Sequence, residues 1–206
     1  MKTSVLNNTK KIISSLFILL LLSGSTFAAE PAFDKGSNVI GLALGFGVDY
    51  GNYYGVYSNK AVSPTLVFTY DHGFFPEVGP GTIGIGGVIA YKSSSFKSYN
   101  YNNDYVKYRN SSLIIGLRGT YHLTILKDKN NKFDPYAGVT LGMRINDDNY
   151  RDDYYRNYGS YYTYNRVSPI AGVFVGAHYN FVPAFGAFAE LGYDISFLRV
   201  GINFNF

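Results

Sequence analysis

The sequence predicts an all-β protein, an eight-stranded antiparallel up-and-down transmembrane β-barrel, and three observations carry that prediction. Eight segments alternate apolar and polar residues with a period of two, as strands with two different faces do. No segment beyond the N-terminal leader is apolar enough to span a bilayer as a helix. A closed barrel is the other backbone arrangement that satisfies every peptide group in lipid. The leader itself directs the chain out of the cytoplasm.

The first 28 residues have the three parts of a secretory signal peptide. Three lysines form a basic head without acidic residues, a short apolar run follows, and small residues lead to Ala28. The apolar run is shorter than the roughly 20 residues that a spanning helix needs. We therefore expect cleavage after Ala28, or after Ala29. Residues 29–37 are then a short periplasmic segment, and residues 38–206 form the barrel.

Composition narrows the class of protein. The leader takes three of the 18 basic residues, so 15 remain against 14 acidic residues and the mature chain is nearly neutral. This balance gives no support to nucleic-acid binding. Cysteine is absent, so the exported chain is not a disulfide-stapled module.

The eight alternating segments divide the mature chain at regular intervals. Each has one apolar face, and the opposite face combines glycine and small polar residues with isolated charges. That second face is too rich in glycine and too poor in Lys and Glu for a solvated surface, so we expect it to line a narrow lumen while the apolar face meets lipid. The segments are residues 38–50, 64–74, 82–92, 112–125, 136–146, 167–181, 185–193 and 196–206.

Each element is justified by apolar residues at alternate positions. The first half of the chain shows them at Ile40, Leu42, Leu44 and Phe46, at Leu66, Phe68 and Tyr70, at Ile83, Ile85 and Ile89, and at Leu113, Ile115 and Leu117. The second half shows them at Val139, Leu141 and Met143, at Val173, Val175 and Tyr179, at Phe185, Leu191 and Tyr193, and at Leu198, Val200 and Ile202. Segment lengths of 9 to 15 residues suit tilted spanning strands, which need about 9 to 11.

The connections alternate in length, which predicts the orientation. Short connections follow the second, fourth and sixth segments, and longer polar ones follow the first, third and fifth. Outer-membrane barrels have short periplasmic turns and longer external loops, so both chain ends are expected in the periplasm. The last external connection is the exception, because Asp194 and Ile195 alone are predicted to form a two-residue turn.

The alternating pattern, the run E-L-G-Y-D at 190–194 and the final V-G-I-N-F-N-F resemble the small eight-stranded outer-membrane barrels of the OmpA, OmpX and opacity-protein group. The resemblance covers residues 38–206 and is one of pattern. It implies residence among the lipids of the outer membrane of a Gram-negative bacterium. It also implies that the barrel-assembly machinery reads the last strand, with Ile202, Phe204 and Phe206 as the signal.

The lumen face carries charges that need partners, because an unpaired charge in a confined interior is costly. If residues 194 and 195 form the turn, Glu190 lies directly opposite Arg199 and both point inward. An eight-stranded barrel is only wide enough for its own side chains, so we predict a salt-bridged plug rather than an ion path. The predicted lumen charge network is Asp49, Asp71, Lys92, Arg118, Arg144, Glu190 and Arg199, and the same parity places His122 and His178 inside.

No group of residues predicts catalysis, a cofactor or a metal. The run A-H-Y-N-F at 177–181 together with Glu190 is similar to part of the lipid A deacylase site, but Asn180 stands where a nucleophilic serine is needed. Palmitoyl-transferase barrels need His, Asp and Ser at the outer rim, whereas the three histidines here lie toward the periplasmic ends. His122 and His178 are expected on non-adjacent strands, too dispersed for a metal site.

Tyrosine dominates two predicted external loops, residues 96–108 and 146–166, and the second has seven tyrosines in 21 residues. Tyrosine offers a large contact face and a polar tip at low entropy cost, which is typical of binding surfaces. A second interpretation, compatible with the first, is that the fifth and sixth strands run on as a protruding hairpin, since tyrosine also suits strands. The recognition candidates are Tyr99, Tyr101, Tyr105, Tyr150, Tyr154, Tyr155, Tyr158, Tyr161 and Tyr162.

Together these features predict an integral outer-membrane protein with a packed polar lumen and a structural or surface-recognition role such as adhesion. The first alternative is a narrow, porin-like pore for ions or small solutes. The second is a lipid-modifying enzyme, for which the Ser, His and acid cluster is missing. Expected partners are outer-membrane lipids, the assembly machinery and an extracellular ligand that the sequence leaves unidentified, but not nucleic acid.

Overall fold

The computed structural model describes residues 33–47, 59–99, 105–124, 132–152 and 162–206. The predicted signal peptide and Asp49 lie outside these residues. Among the residues described, no helix is long and apolar enough to cross a membrane. The strands within them are β1 Asn38–Phe46, β2 Asn59–Val62, β3 Thr65–Gly73, β4 Gly81–Tyr99, β5 Tyr105–Leu123, β6 Phe133–Asp152, β7 Tyr162–Val182, β8 Phe185–Gly192 and β9 Leu198–Asn205.

β2 and β3 are two parts of one barrel strand, because both pair with β4. The interruption falls at Ser63 and Pro64, and proline has no N–H to give to a ladder. Ser63 bridges the gap: its hydroxyl donates to the Ser93 carbonyl at 2.8 Å and accepts from the Ser93 N–H at 3.0 Å. Counted this way, the barrel has eight strands.

Every neighbouring pair of strands is antiparallel, and β1 pairs with both β3 and β9, which closes the sheet. At the seam, the Asn38 N–H donates to the Phe206 carbonyl at 3.1 Å and the Phe206 N–H donates back to the Asn38 carbonyl at 3.0 Å. The predicted fold, a closed eight-stranded antiparallel up-and-down barrel, is confirmed. We call the end where β1 begins and β9 ends the proximal end, and the opposite end the distal end.

The two faces of the strands lie as the period-two alternation predicts. In β3, Thr65, Val67 and Asp71 are buried inside the barrel, whereas Leu66 and Phe68 are exposed on the outside. The outer surface is therefore an apolar belt, and aromatic residues concentrate toward its two ends. At the proximal end these are Tyr70, Phe74, Phe75, Phe133, Tyr179, Phe181 and Phe206, and at the distal end Phe46, Tyr91, Tyr193 and Phe197.

The wall of the barrel is uneven in height. β4 to β7 are 19 to 21 residues long, whereas β1, β8 and β9 have 8 or 9. Pairing of β4 with β5 continues to Tyr99 and Tyr105, and pairing of β6 with β7 continues to Tyr150 and Tyr162. We call the part of these four strands beyond residues 92, 112, 146 and 167 the distal sheet. The predicted segments were too short at their distal ends. The interpretation that the fifth and sixth predicted strands run on as a protruding hairpin is confirmed, since β6 and β7 stay paired as far as Tyr150 and Tyr162.

The connection between β8 and β9 differs from its prediction. It spans five residues, Tyr193–Phe197, so the predicted two-residue turn is wrong. Its middle residues, Asp194, Ile195 and Ser196, turn into the lumen and are buried there. The predicted register is nevertheless correct, since Glu190 pairs directly with Arg199. The longer turn forms because its polar residues find partners inside the barrel.

Candidate functional site in the lumen

Two arginines and three carboxylates cross the middle of the lumen, and we call this set the arginine layer: Asp71, Arg118, Glu190, Asp194 and Arg199. Arg118 donates from Nε to Asp71 at 3.2 Å and from Nη2 to Glu190 at 2.7 Å. Arg199 contacts Glu190 at 2.5 Å and donates from Nη1 to Asp194 at 2.9 Å. All five side chains are nearly inaccessible to solvent. These contacts bring four residues of the predicted charge network, Asp71, Arg118, Glu190 and Arg199, together around Glu190.

Neutral groups complete the arginine layer. The Tyr136 hydroxyl donates to Glu190 Oε1 at 2.8 Å, and the Thr140 hydroxyl donates to Asp194 Oδ2 at 2.8 Å. The Phe174 ring lies 4.4 Å from the guanidinium carbon of Arg118 and 5.1 Å from that of Arg199. Such contacts stabilise a desolvated cation by roughly 2 kcal/mol. The layer is thus fixed by hydrogen bonds around its rim and by an aromatic ring against its cations.

Glycine makes room for these large side chains. A Cβ atom at Gly176 would lie 2.8 Å from Glu190 Cγ and 2.9 Å from Tyr136 Cζ. Both separations are shorter than side chains tolerate without moving. Glycine on the inner face at this position therefore leaves the space that Glu190 and Tyr136 occupy in the lumen.

An apolar layer lies on the distal side of the arginine layer. Ile195, carried inward by the β8–β9 connection, is buried together with Ala43, Val67, Val88 and Ile114. These side chains are small or branched and come from both halves of the barrel. The lumen is thus filled at two successive levels by side chains of the protein itself.

The predicted charge network is only partly assembled. Asp71, Arg118, Glu190 and Arg199 meet as described, whereas Lys92 and Arg144 are half-buried inward residues placed farther toward the distal end. Both have interactions of their own. Asp194 was missing from the predicted network, because it was assigned to the turn. An acidic residue within a short connection next to an inward arginine is the signal that could have identified it.

A second polar group lies at the proximal end of the lumen, and we call it the histidine cluster: His122 on β5, Asp134 on β6 and His178 on β7. His122 Nδ1 lies 2.8 Å from Asp134 Oδ2, and His178 Nδ1 lies 3.1 Å from the same oxygen. All three residues are buried. The two histidines lie on non-adjacent strands as expected, but they are not too dispersed to meet, because Asp134 on the strand between them contacts both.

Aromatic rings enclose the histidine cluster. The Phe33 ring stacks on His122 with centroids 3.7 Å apart, and Tyr136 stacks on His122 at 4.8 Å and on His178 at 4.6 Å. Phe33 is held in place because its segment is tied to the end of β3, where the Gly36 N–H donates to the Gly73 carbonyl at 2.8 Å. Tyr136 belongs to both polar groups, since its hydroxyl reaches the arginine layer.

The residue that stands where a nucleophilic serine is needed has a structural role. Asn180 Oδ1 accepts hydrogen bonds from the side-chain amides of Asn203 at 2.9 Å and Asn205 at 3.0 Å. This amide ladder joins β7 to β9 across the start of β8. The Asn180 side chain is an amide without a hydroxyl or thiol, and these contacts use its oxygen as an acceptor.

Comparison with known proteins identifies the fold. No family model and no curated protein matches this sequence. Among solved structures, OprG from Pseudomonas aeruginosa superposes with a TM-score of 0.59 at 14% identity, covering 85% of this chain and 98% of that one. Ail of Yersinia pestis in complex with the heparin analogue sucrose octasulfate gives 0.48 at 16% identity, covering 84% and 99%. The N-terminal β-barrel domain of Pseudomonas aeruginosa OprF gives 0.43 at 14% identity, covering 84% and 99%.

The likeness to OprG bears on the architecture, and at that identity it concerns the fold alone. It agrees with the closed antiparallel barrel seen here. The chain therefore has the fold of the small eight-stranded outer-membrane barrels.

Proposed function

We propose that this chain is an integral outer-membrane protein whose filled barrel anchors a surface-recognition sheet. The observation that carries the proposal is the contrast between a lumen occupied by its own side chains and four strands that rise well beyond it. The barrel holds the chain in the membrane, and the distal sheet supplies the contact surface. The protein has a structural and adhesive role in this proposal, without catalysis.

Residence in a membrane is supported by the outer surface. Leu117 is 71% exposed and Leu141 is 60% exposed, values that large aliphatic side chains in the middle of a strand show when lipid rather than protein covers them. The aromatic residues at both ends of the belt suit the two lipid–water interfaces. The likeness of the fold to OprG agrees with this assignment.

The proximal end is assigned to the periplasm. β7 and β8 are joined there by Pro183 and Ala184 alone, and short turns face the periplasm in outer-membrane barrels. Ile202 and Phe206 are exposed on the outer face of β9, so an assembly factor can reach the alternate residues of this strand. The distal sheet then faces the cell exterior.

A filled lumen favours an anchor over a pore. The arginine layer joins strands on opposite sides of the barrel, since Asp71 lies on β3, Arg118 on β5 and Arg199 on β9. An ion crossing this level has to displace paired charges that are desolvated and hydrogen-bonded, which is costly. The apolar layer around Ile195 adds a second barrier.

Conductance in a planar bilayer tests whether the barrel is a filled anchor or an open pore. The refolded mature protein is expected to give no current steps when its insertion is confirmed by the different gel mobility of folded and boiled samples. Replacing Arg118 and Arg199 together by alanine removes the two largest fully buried side chains and is expected to produce steps. The control Arg166→Ala changes an exposed arginine and should give no current steps. Steady steps from the wild-type protein would establish the pore instead.

Surface recognition is supported by tyrosines that the distal sheet brings together. Tyr99 pairs with Tyr105 at the end of the β4–β5 hairpin, and Tyr150 pairs with Tyr162 on the neighbouring hairpin. The pairing of β5 with β6 places Tyr108 beside Tyr150, so both hairpins belong to one continuous sheet. Of the other candidates, Tyr101, Tyr154, Tyr155, Tyr158 and Tyr161 lie outside the described residues.

Adhesion of expressing cells to immobilised glycans and to epithelial surfaces tests the recognition surface. Changing Tyr150, Tyr154, Tyr155 and Tyr158 to serine is expected to reduce adhesion to the level of cells that lack the protein. The control changes Tyr91, Tyr179 and Tyr193, which are exposed on the outer belt of the barrel, to phenylalanine. Equal adhesion by wild-type and tyrosine-depleted cells on every surface would contradict the recognition role.

A further inference from the structure

We propose that His122, Asp134 and His178 bind one divalent transition-metal ion at the proximal end of the lumen. The donor atoms are Nδ1 of each imidazole and a carboxylate oxygen, and the three residues can place one such atom each within 4.8 Å of the others. Two imidazoles and a carboxylate suit zinc and neighbouring transition metals, whereas calcium and magnesium prefer oxygen ligands throughout. The site is independent of the surface-recognition role.

The spacing of the donors fits a bound ion. Asp134 Oδ2 lies 2.8 Å from His122 Nδ1 and 3.1 Å from His178 Nδ1. Ligands held about 2.0–2.2 Å from a common ion lie roughly 3 Å or slightly more from each other. The third pair of donor atoms, on the two imidazoles, lies within 4.8 Å. Binding an ion therefore requires the two imidazoles to move closer together.

The barrel wall pre-arranges the three ligands. They come from three consecutive strands, and the register sets Asp134 directly opposite His178 and Tyr136 directly opposite His122. Because Tyr136 stacks on both imidazoles, the two rings are held in nearly parallel planes. The ligands are fixed by strands rather than by a mobile loop, which favours a defined coordination geometry.

Two residues beyond the three ligands hold the His122 ring in place. The other ring nitrogen of His122, Nε2, lies 3.2 Å from the Thr120 hydroxyl, so Nδ1 is the nitrogen presented to the cluster. Partners of this kind orient a ligating imidazole and typically affect metal affinity by about 10- to 100-fold. Phe33 covers His122 and shields that side of the site from water.

A further polar group faces the same space. Thr82 pairs directly with His122 on the adjacent strand, and its side chain is fully buried. Its hydroxyl has no hydrogen-bond partner among the residues that the structure describes. A buried hydroxyl without a partner is unfavourable by roughly 1–3 kcal/mol. An ion with three protein ligands keeps a position for water, and a metal-bound water beside Thr82 would satisfy that hydroxyl.

The competing explanation is a purely hydrogen-bonded triad in which both imidazoles share the carboxylate. Zinc titration of the untagged, refolded mature protein, freed of metal with a chelator, distinguishes the two. We expect calorimetry to show one Zn²⁺ per chain, and Co²⁺ to give visible absorption bands of a low-coordinate site. The variants His178→Gln and Asp134→Asn are expected to weaken binding at least about tenfold.

The chain offers a matched control in its third histidine. His72 lies outside the cluster, with Nδ1 3.0 Å from the Asn38 amide oxygen, so His72→Gln should leave zinc binding unchanged. Absence of stoichiometric binding by the folded wild-type protein would overturn the proposal, whatever the variants do. Loss of binding in His72→Gln, or equal binding in His178→Gln, would overturn it as well. Gel mobility of unboiled samples shows which variants are folded.

Discussion

The arginine layer and the histidine cluster occupy successive levels of one lumen, yet they use charge differently. In the arginine layer Glu190 accepts hydrogen bonds from Arg118 and Tyr136 and forms an ion pair with Arg199. In the histidine cluster one oxygen of Asp134 serves two imidazoles. The first arrangement neutralises fixed charges and fills space. The second presents three potential ligands to a common point, which suits an exchangeable ion.

Removing the centre of the arginine layer should have the largest effect. Glu190→Gln keeps the size of the side chain but leaves two buried guanidinium groups without their shared carboxylate, and breaking a buried pair costs about 3–5 kcal/mol. Urea unfolding of the protein refolded in lipid or detergent measures the change. The control Glu77→Gln alters an exposed acid in the connection after β3 and should leave the free energy of unfolding unchanged. A loss below about 1 kcal/mol would mean that the layer is not a closed charge network.

The turn that enters the lumen gives the next largest effect. Asp194→Asn weakens the contacts with Arg199 and Thr140, and a hydrogen bond to a charged group contributes about 1.5–3 kcal/mol. Thr140→Val removes the neutral partner and should cost about 1 kcal/mol. The double variant should lose less than the sum of the two, because both changes act on one carboxylate. Strictly additive losses in urea unfolding would show that Asp194 and Thr140 act separately.

Two glycines test how tightly the layers are packed. Gly176→Ala pushes a methyl group against both Glu190 and Tyr136, and overpacking of this kind costs about 1–3 kcal/mol. At Gly119 the new methyl meets only Val139 Cγ2, at an ordinary 3.6 Å. Gly119→Ala should therefore change stability by less than about 1 kcal/mol, with a gain from the stiffer unfolded chain. Equal losses at the two positions in urea unfolding would argue against a filled lumen.

The histidine cluster should give the smallest change when metal is withheld. With a chelator present, His178→Gln removes one hydrogen bond and leaves His122 with Asp134, so the free energy of unfolding should fall by about 1 kcal/mol. Zinc at 100 times its dissociation constant should stabilise the wild type by about 2.7 kcal/mol and widen that difference. Glu190→Gln should keep its zinc response, since the arginine layer contributes no ligand. A zinc effect of equal size in His178→Gln would show that zinc does not bind at the histidine cluster.

The sequence predicts much of this interior because strand parity is a local property. Inward placement of Asp71, Arg118 and Arg199 follows from alternation alone, and so does the pairing of Glu190 with Arg199. Asp134 was missed although it has the same parity as Tyr136, because it was grouped with the polar connection before β6. The histidine cluster needs a residue from the middle one of three strands, and alternation within each strand does not report that relation.

Alternation also fails to predict where the strands end at the distal end of the barrel, for a physical reason. Within the barrel wall, the outer surface and the lumen impose opposite preferences on neighbouring residues. The sequence of residues 93–99 and 147–152 no longer displays the period of two, although the strands continue through them. The boundaries predicted at residues 92 and 146 mark where the apolar alternation stops, rather than where pairing ends.

The arginine layer also bears on how the barrel closes. Glu190, Asp194 and Arg199 all belong to the last hairpin, whereas Asp71 and Arg118 belong to strands made much earlier in the chain. Until that hairpin inserts, the early strands carry an arginine with at most one carboxylate partner. Neutralisation of the interior and closure of the β1–β9 seam are therefore coupled, so a barrel whose last hairpin has not yet paired lacks the interactions that hold its interior together.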